Sequence, residues 1–226
     1  MEIKVVMGQR LLRANEEVAR KVRERLARST CLMVNLISSP GAGKTTLLEA
    51  TLERLRDRWR IGVIEGDVYT VRDAARIAHL EVPVVQINTA GVCHLSASMV
   101  AKALEELGEG PFDLIFVENV GNLVCPAEFD LGEDAKVALL SVTEGIDKPA
   151  KYPLVFEQAQ LVLITKGDLL PYLEFDLEEV KKDVHRLNPE APIIVTSAKT
   201  GEGLEAWCQW LEERLRQKKE AASVTA

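Results

Sequence analysis

An apolar run, Cys31–Ile37, opens into Ser38-Ser39-Pro40-Gly41-Ala42-Gly43-Lys44-Thr45, and a helical pattern follows over Lys44–Arg58. A strand that turns through glycines into a helix start constrains the fold more than any other stretch of this chain. It requires a strand with its carboxyl end free and a helix whose positive end faces the same gap. Gly41 and Gly43 let backbone N–H groups turn toward an anion without a Cβ in the way. Lys44 adds a charge suited to β- and γ-phosphates, and the Thr45 hydroxyl, with Thr46 beside it, sits where Mg²⁺ accompanies them. The pattern is G-x-x-x-x-G-K-[ST] with Ser38 at the first glycine position. The later residues carry the phosphate chemistry, so a nucleotide is the expected ligand.

The remainder alternates strands and helices in the same way. Strands are expected at Arg60–Glu65, Val82–Ile87, Phe112–Glu118, Val137–Val142, Leu161–Thr165 and Pro192–Thr196. Helices are expected at Thr70–His79, His94–Leu107, Leu177–Leu187 and Leu204–Lys218. Strands that are apolar almost throughout suit a sheet covered on both faces, so the expected fold is α/β, doubly wound and mostly parallel. Residues 1–29 hold an amphipathic helix from about residue 9, with Leu11, Leu12, Asn15, Ala19, Val22 and Leu26 at helical spacing, packing on the body. Residues 30–218 form the nucleotide domain, and 219–226 are expected to fray.

Bulk properties exclude several classes. The 226 residues include 47% hydrophobic and 28% charged ones, and the net charge of −7 is interleaved without a basic stripe. Nucleic acid is therefore not an expected partner. The longest apolar runs, such as Leu161–Ile164, are too short to span a bilayer, and no secretory leader is visible. Four scattered cysteines do not make a secreted disulfide framework, so a cytoplasmic location is expected.

Strand ends next to the phosphate loop carry acids. Asp67 follows Arg60–Glu65, and Glu118 ends Phe112–Glu118. Either can hold Mg²⁺ or orient an attacking water, and Asp73 is a further magnesium candidate. Lys44, Asp67 and Glu118 are thus the expected catalytic set. Two later strand ends run into Thr165-Lys166-Gly167-Asp168 and Ser197-Ala198-Lys199, which resemble the guanine-reading N-K-x-D and S-A-K elements of GTPases. The Asp168 carboxylate can accept from both N1–H and the N2 amino group of guanine, which adenine cannot satisfy. Thr165 stands where the pattern has Asn.

Cys93 and His94 are adjacent, and Cys125 sits at the end of Glu118–Cys125. Two thiolates and an imidazole suit Zn²⁺ or Ni²⁺. The spacing alone equally admits two small buried hydrophobes and a helix-start histidine. Cys31 and Cys208 read as structural, and His79 and His185 as solvated helix ends.

Together, Gly66-Asp67-Val68, Asn88–Leu95, Glu118–Gly132 and Thr143–Lys148 make the chain similar to the HypB-type GTPases of [NiFe]-hydrogenase maturation, of the SIMIBI class of P-loop NTPases. That resemblance implies GTP hydrolysis and a Cys93–His94–Cys125 metal site with nickel as cargo and zinc as a common occupant, and with no obvious catalytic glutamine in the sequence the hydrolysis is expected to be slow. It also implies a GTP-dependent homodimer, a zinc-containing HypA-type partner and delivery to the hydrogenase large subunit. Some members carry an N-terminal cysteine motif or a histidine-rich stretch for tight nickel storage; neither appears in this sequence.

Overall fold

Seven strands line up in the order β3-β2-β4-β1-β5-β6-β7, all parallel, in a computed structural model that describes residues 9–67, 76–108 and 110–225. The strands are β1 (Leu32–Ser38), β2 (Ile61–Asp67), β3 (Val84–Asn88), β4 (Leu114–Glu118), β5 (Ala135–Ser141), β6 (Leu161–Thr165) and β7 (Ile193–Val195). Every residue of β1 is buried, the signature of a central strand covered on both faces. Leu32, Val34 and Leu36 face one layer of helices, while Met33 faces the other. The first layer holds α2 (Lys44–Leu55) and the C-terminal helix; the second holds α1 (Gln9–Arg28) and α3 (Ala97–Glu106). Short helices α4 (Cys125–Glu128), α5 (Lys148–Lys151) and α6 (Pro153–Glu157) precede α7 (Leu177–Leu187) and α8 (Leu204–Thr225).

Because β1 lies between β4 and β5, the crossovers after β1 and after β4 leave in opposite directions. A crevice opens at that switch point above the carboxyl ends, where such folds bind ligands. Trp207 on α8 is fully buried against Phe116, and its indole N–H donates to Thr51 on α2 at 2.9 Å. That bond satisfies the polar edge of a large apolar side chain and fixes the helix that starts at the phosphate loop.

The expected elements are present with shifted ends. α2 stops at Leu55, three residues before the expected end. α3 begins at Ala97 instead of His94, because Ser96 is its N-cap and accepts from the Met99 N–H. Most of the helix expected at Thr70–His79 falls outside the described residues, as does Asp73. The tail needs correction: α8 continues to Thr225 rather than ending at Lys218. Lys218 binds Asp134 and the Cys31 carbonyl, and Lys219, the first residue of the segment expected to fray, binds Asp113 at 2.7 Å. Among the described residues, no helix is long and apolar enough to cross a membrane.

Candidate functional site

The phosphate loop leaves β1 and enters α2 through two glycines in the left-handed region, Gly41 at φ 76° and Gly43 at φ 95°. A side chain at either position would be strained, which is why the turn needs glycine. Gly43 takes the N-cap position of α2 without a capping side chain, leaving the first helical N–H groups directed at the crevice. Lys44 is buried at 8% exposure, and its Nζ donates to Ser38 Oγ at 3.0 Å. Ser38, at the pattern's first glycine position, therefore helps aim the lysine.

Thr45 Oγ1 donates to Glu118 Oε1 at 2.8 Å, joining the phosphate loop to the tip of β4. Asp67 is half-buried at the end of β2. A cleft of about 520 Å³ is lined by Lys44, Thr45, Asp67 and Glu118, so all three expected catalytic residues share one cavity with the loop. A hydroxyl and two carboxylates at the edge of a phosphate cradle are the donor set that Mg²⁺ takes with a nucleotide. Two lining residues escaped the sequence reading. Glu65 stands in register with Glu118 across β2 and β4, and Arg76 makes an ion pair with Glu49 on α2. Glu65 was visible as an acid two residues before Asp67, on the same side of a strand that is otherwise apolar.

An adjoining cavity of about 250 Å³ is lined by Gly43, Thr46, Thr165, Lys166, Asp168, Ala198 and Lys199. Gly43, Thr46 and Lys166 line both cavities, so the two form one continuous crevice. Lys166 adopts φ 57°, and its ammonium donates to the Gly41 carbonyl at 2.8 Å and to Thr143 Oγ1 at 3.2 Å. Its stem is thereby laid over the loop, where a flat base can rest on it. Ser197 donates to Asp168 Oδ1 at 2.6 Å, fixing one carboxylate oxygen. Thr165 is buried, and its hydroxyl donates to the Ala42 carbonyl at 2.6 Å.

The third assembly lies on the loops that follow β3 and β4. Cys93, His94 and Cys125 bring their ligand atoms within 4.8 Å of one another. Cys93 Sγ lies 3.2 Å from Cys125 Sγ and 4.0 Å from His94 Nδ1. Metal–ligand bonds of about 2.0–2.3 Å in a tetrahedron put ligands roughly 3.3–3.8 Å apart, so the trio is already near that spacing. Cys93 is exposed and Cys125 half-buried, which rules out the reading of both as buried hydrophobes. The contact with Cys93 raises the Cys125 pKa, with burial adding to it. Burial lowers the His94 pKa, opposed by Glu128, which favours the neutral ligating imidazole; its ring stacks on Phe129 at 3.9 Å. Asn122 donates to the Cys93 carbonyl at 3.3 Å and accepts from the Val124 N–H, so one side chain bridges the two cysteine loops. Cys31 and Cys208 are buried far along the chain from this cluster, and burial pushes the Cys31 thiol up to about 12.

Residues 32–195 match the family model described as CobW/HypB/UreG, nucleotide-binding domain. The chain is 53% identical over 202 residues to the hydrogenase maturation factor HypB of Escherichia coli K12, covering 89% of this chain and 70% of the relative. It superposes with TM-score 0.86 and 41% identity on the crystal structure of HypB from Helicobacter pylori in complex with nickel, covering 90% of this chain and 96% of the other. HypB from Archaeoglobus fulgidus gives TM-score 0.85 at 40% identity, over 90% of this chain and all of that one. With the fold, the glycine loop and matches that span nearly its whole length, the chain belongs to the CobW/HypB/UreG family and, within it, to the HypB hydrogenase maturation factors.

Proposed function

We propose that this chain hydrolyses GTP to GDP and phosphate, and that it holds nickel at Cys93, His94 and Cys125 for delivery during [NiFe]-hydrogenase maturation. The carrying observation is that the crevice holding Lys44 and Thr45 ends on Glu118, seven residues before Cys125 on one loop. Guanine is read by Asp168, held by Ser197, with Ala198 and Lys199 closing the base cavity. Lys44 and the N–H groups from Gly41 to Thr46 take the phosphates. Thr45, Asp67 and Glu118 hold Mg²⁺, which supplies charge neutralisation across the β- and γ-phosphates. Asp73 lies on the adjoining segment, outside the described residues, and remains part of this magnesium proposal.

Glu118 held by a triphosphate biases the path of the chain to Cys125. Loss of the γ-phosphate then relaxes that path and the metal site with it. A coupling of roughly 1–3 kcal/mol is ordinary for such linkage. Three ligands leave a tetrahedral metal site one short, so a GTP-dependent dimer that brings two such sites together is part of the proposal. A HypA-type zinc protein as nickel exchange partner and the hydrogenase large subunit as acceptor are carried from the family, as is zinc as an alternative occupant. No obvious catalytic glutamine was found in the sequence, and slow turnover follows from that reading.

The test is nickel titration by competition, with a non-hydrolysable GTP analogue bound and with GDP bound. Different affinities in the two states support the coupling, and equal affinities defeat it. Lys44→Ala supplies the second arm: unchanged GTP affinity overturns the nucleotide reading itself.

A further inference from the structure

Asn15 is the one buried polar residue among the described side chains of α1, at 9% exposed. Its Oδ1 accepts the Ala97 N–H at 2.8 Å, and its Nδ2 donates to the Asp130 carbonyl at 2.6 Å. Ala97 opens α3, three residues after His94; Asp130 lies five residues after Cys125, beside the Phe129 ring that stacks on His94. A single amide, 82 residues from one partner and 115 from the other, therefore ties the downstream ends of both loops that carry the thiols. We propose that Asn15 is a positioning residue of the metal centre, clasping the Cys93–His94 and Cys125 loops at ligating distance from the N-terminal helix. This rests on the reading of Cys93, His94 and Cys125 as the nickel site.

Four features make the clasp rigid. Ala97 is fully buried, so its N–H, an orphan of the helix start, has Asn15 in place of water. α1 is held by Ala19, Val22 and Leu26, all buried, with Val22 and Leu26 packed against Leu131 and the core of α3. Gly132 passes so close to α1 that a Cβ there would lie 2.8 Å from Val22 Cβ. Arg23 adds a two-pronged ion pair to Asp130 at 2.7 and 2.8 Å. With the amide removed, the Asp130 end loses its buried donor while the Ala97 end loses its acceptor. The thiols then no longer share one frame. Groups that orient metal ligands without touching the metal commonly change affinity by about 10–100-fold.

The experiment uses the full chain with GDP bound, titrating Ni²⁺ against a chromogenic chelator. Asn15→Ala is compared with Leu211→Ala, which opens a cavity in the other helix layer and leaves α1 and the clasp in place. The expected result is nickel binding about 10-fold weaker in Asn15→Ala, GDP affinity unchanged, and the absorption bands of the Co²⁺-substituted site altered. Leu211→Ala is expected to lower thermal stability and to keep both the nickel affinity and the Co²⁺ spectrum. Asn15→Asp keeps the acceptor for Ala97 and the side-chain size while setting an oxygen against the Asp130 carbonyl. It tests the clasp should Asn15→Ala not fold, and the same loss is expected. Nickel affinity equal to wild type in the Asn15 variants, or an equal loss in Leu211→Ala, overturns the proposal. A wild-type chain that binds neither Ni²⁺ nor Co²⁺ sinks the metal reading itself, a result distinct from wild-type binding that the Asn15 variants leave intact.

Discussion

The Thr165 hydroxyl donates to the Ala42 carbonyl across 2.6 Å, fastening the end of β6 to the middle of the phosphate loop. The base-reading and phosphate-binding halves of the crevice are thus one unit at a position where the guanine pattern has Asn. Thr165→Val keeps the shape and leaves a buried carbonyl unpaired, at a cost of about 1–3 kcal/mol. GTP and GDP affinity are expected to fall together by roughly 5–150-fold, while preference over ATP persists, given the role proposed for Asp168. Titration of fluorescent nucleotides checks this; loss of base preference in Thr165→Val counts against the assignment of Asp168.

Asp168→Ala is the complementary change. It removes the acceptor for two guanine donors and frees the Ser197 hydroxyl now bound at 2.6 Å. Sites built to pair a polar group lose discrimination by orders of magnitude when that partner goes. Competition between GTP and ATP is expected to become nearly even, and a retained guanine preference overturns the base assignment.

How much of this was legible in sequence depends on how local the determinant is. β6 and α7 fall at the expected residues, because their patterns and flanking turns are contiguous. The glycines at 41 and 43, Lys44 and Asp168 stand out by type and spacing, and the fold brings them to one crevice. The start of α3 was misplaced because Ser96 outcompetes His94 as a cap through one bond to Met99. The Asn15 clasp and the fastening of Lys219 to Asp113 join residues separated by 82 to 115 positions. No period in the chain reports such contacts, so they appear only in the folded molecule. The helical spacing places Asn15 on the inward stripe of α1, but its partners Ala97 and Asp130 are not legible from that spacing.

Thiol chemistry separates the four cysteines. Cys31 is 2% exposed with its thiol pushed up to about 12, and burial also raises Cys208. Neither offers an accessible thiolate near neutral pH, whereas Cys93 is exposed and Cys125 half-buried. A thiol reagent on the native chain is expected to label Cys93 and Cys125 alone, and saturating Ni²⁺ or Zn²⁺ to protect both. Peptide mapping reads the outcome, and rapid labelling of Cys31 in native protein contradicts the packing of α1 and α3 over that face of the sheet.

The docking of α8 predicts an acid limb. Burial raises the Asp113 pKa, but the Lys219 ammonium and the Arg60 N–H outweigh it, and the net shift is downward. A carboxyl lowered by folding contributes stability above its unfolded value of about 3.9, and that contribution is lost as pH falls through the lower folded value. Asp113→Asn is expected to be less stable than wild type at neutral pH, with the difference narrowing below about pH 4. Urea midpoints measured from pH 7 to pH 3 check it; a difference that holds constant to pH 3 excludes the ion pair as its cause.

Gly121 connects the nucleotide crevice to the thiols by contact alone. It sits between Glu118 and Cys125, and a Cβ built on it would meet the Cα, N and Cγ of Pro40 at 3.0 Å. Pro40 is rigid backbone at the head of the phosphate loop, so neither neighbour yields as a flexible side-chain end would. Gly121→Ala forces the two loops apart by a few tenths of an ångström, an overpacking that costs about 1–3 kcal/mol. Because the strain sits where Glu118 and Thr45 share a hydrogen bond of 2.8 Å, the cost falls on the nucleotide-bound arrangement. GTP-analogue affinity is expected to drop roughly 10-fold, with a smaller loss for GDP and a narrower gap in nickel affinity between the two states. Calorimetric titration of both nucleotides, repeated with Ni²⁺ bound, reads all three quantities. An alanine chain that binds both nucleotides as wild type does shows that the phosphate loop and the thiol-bearing loop move independently.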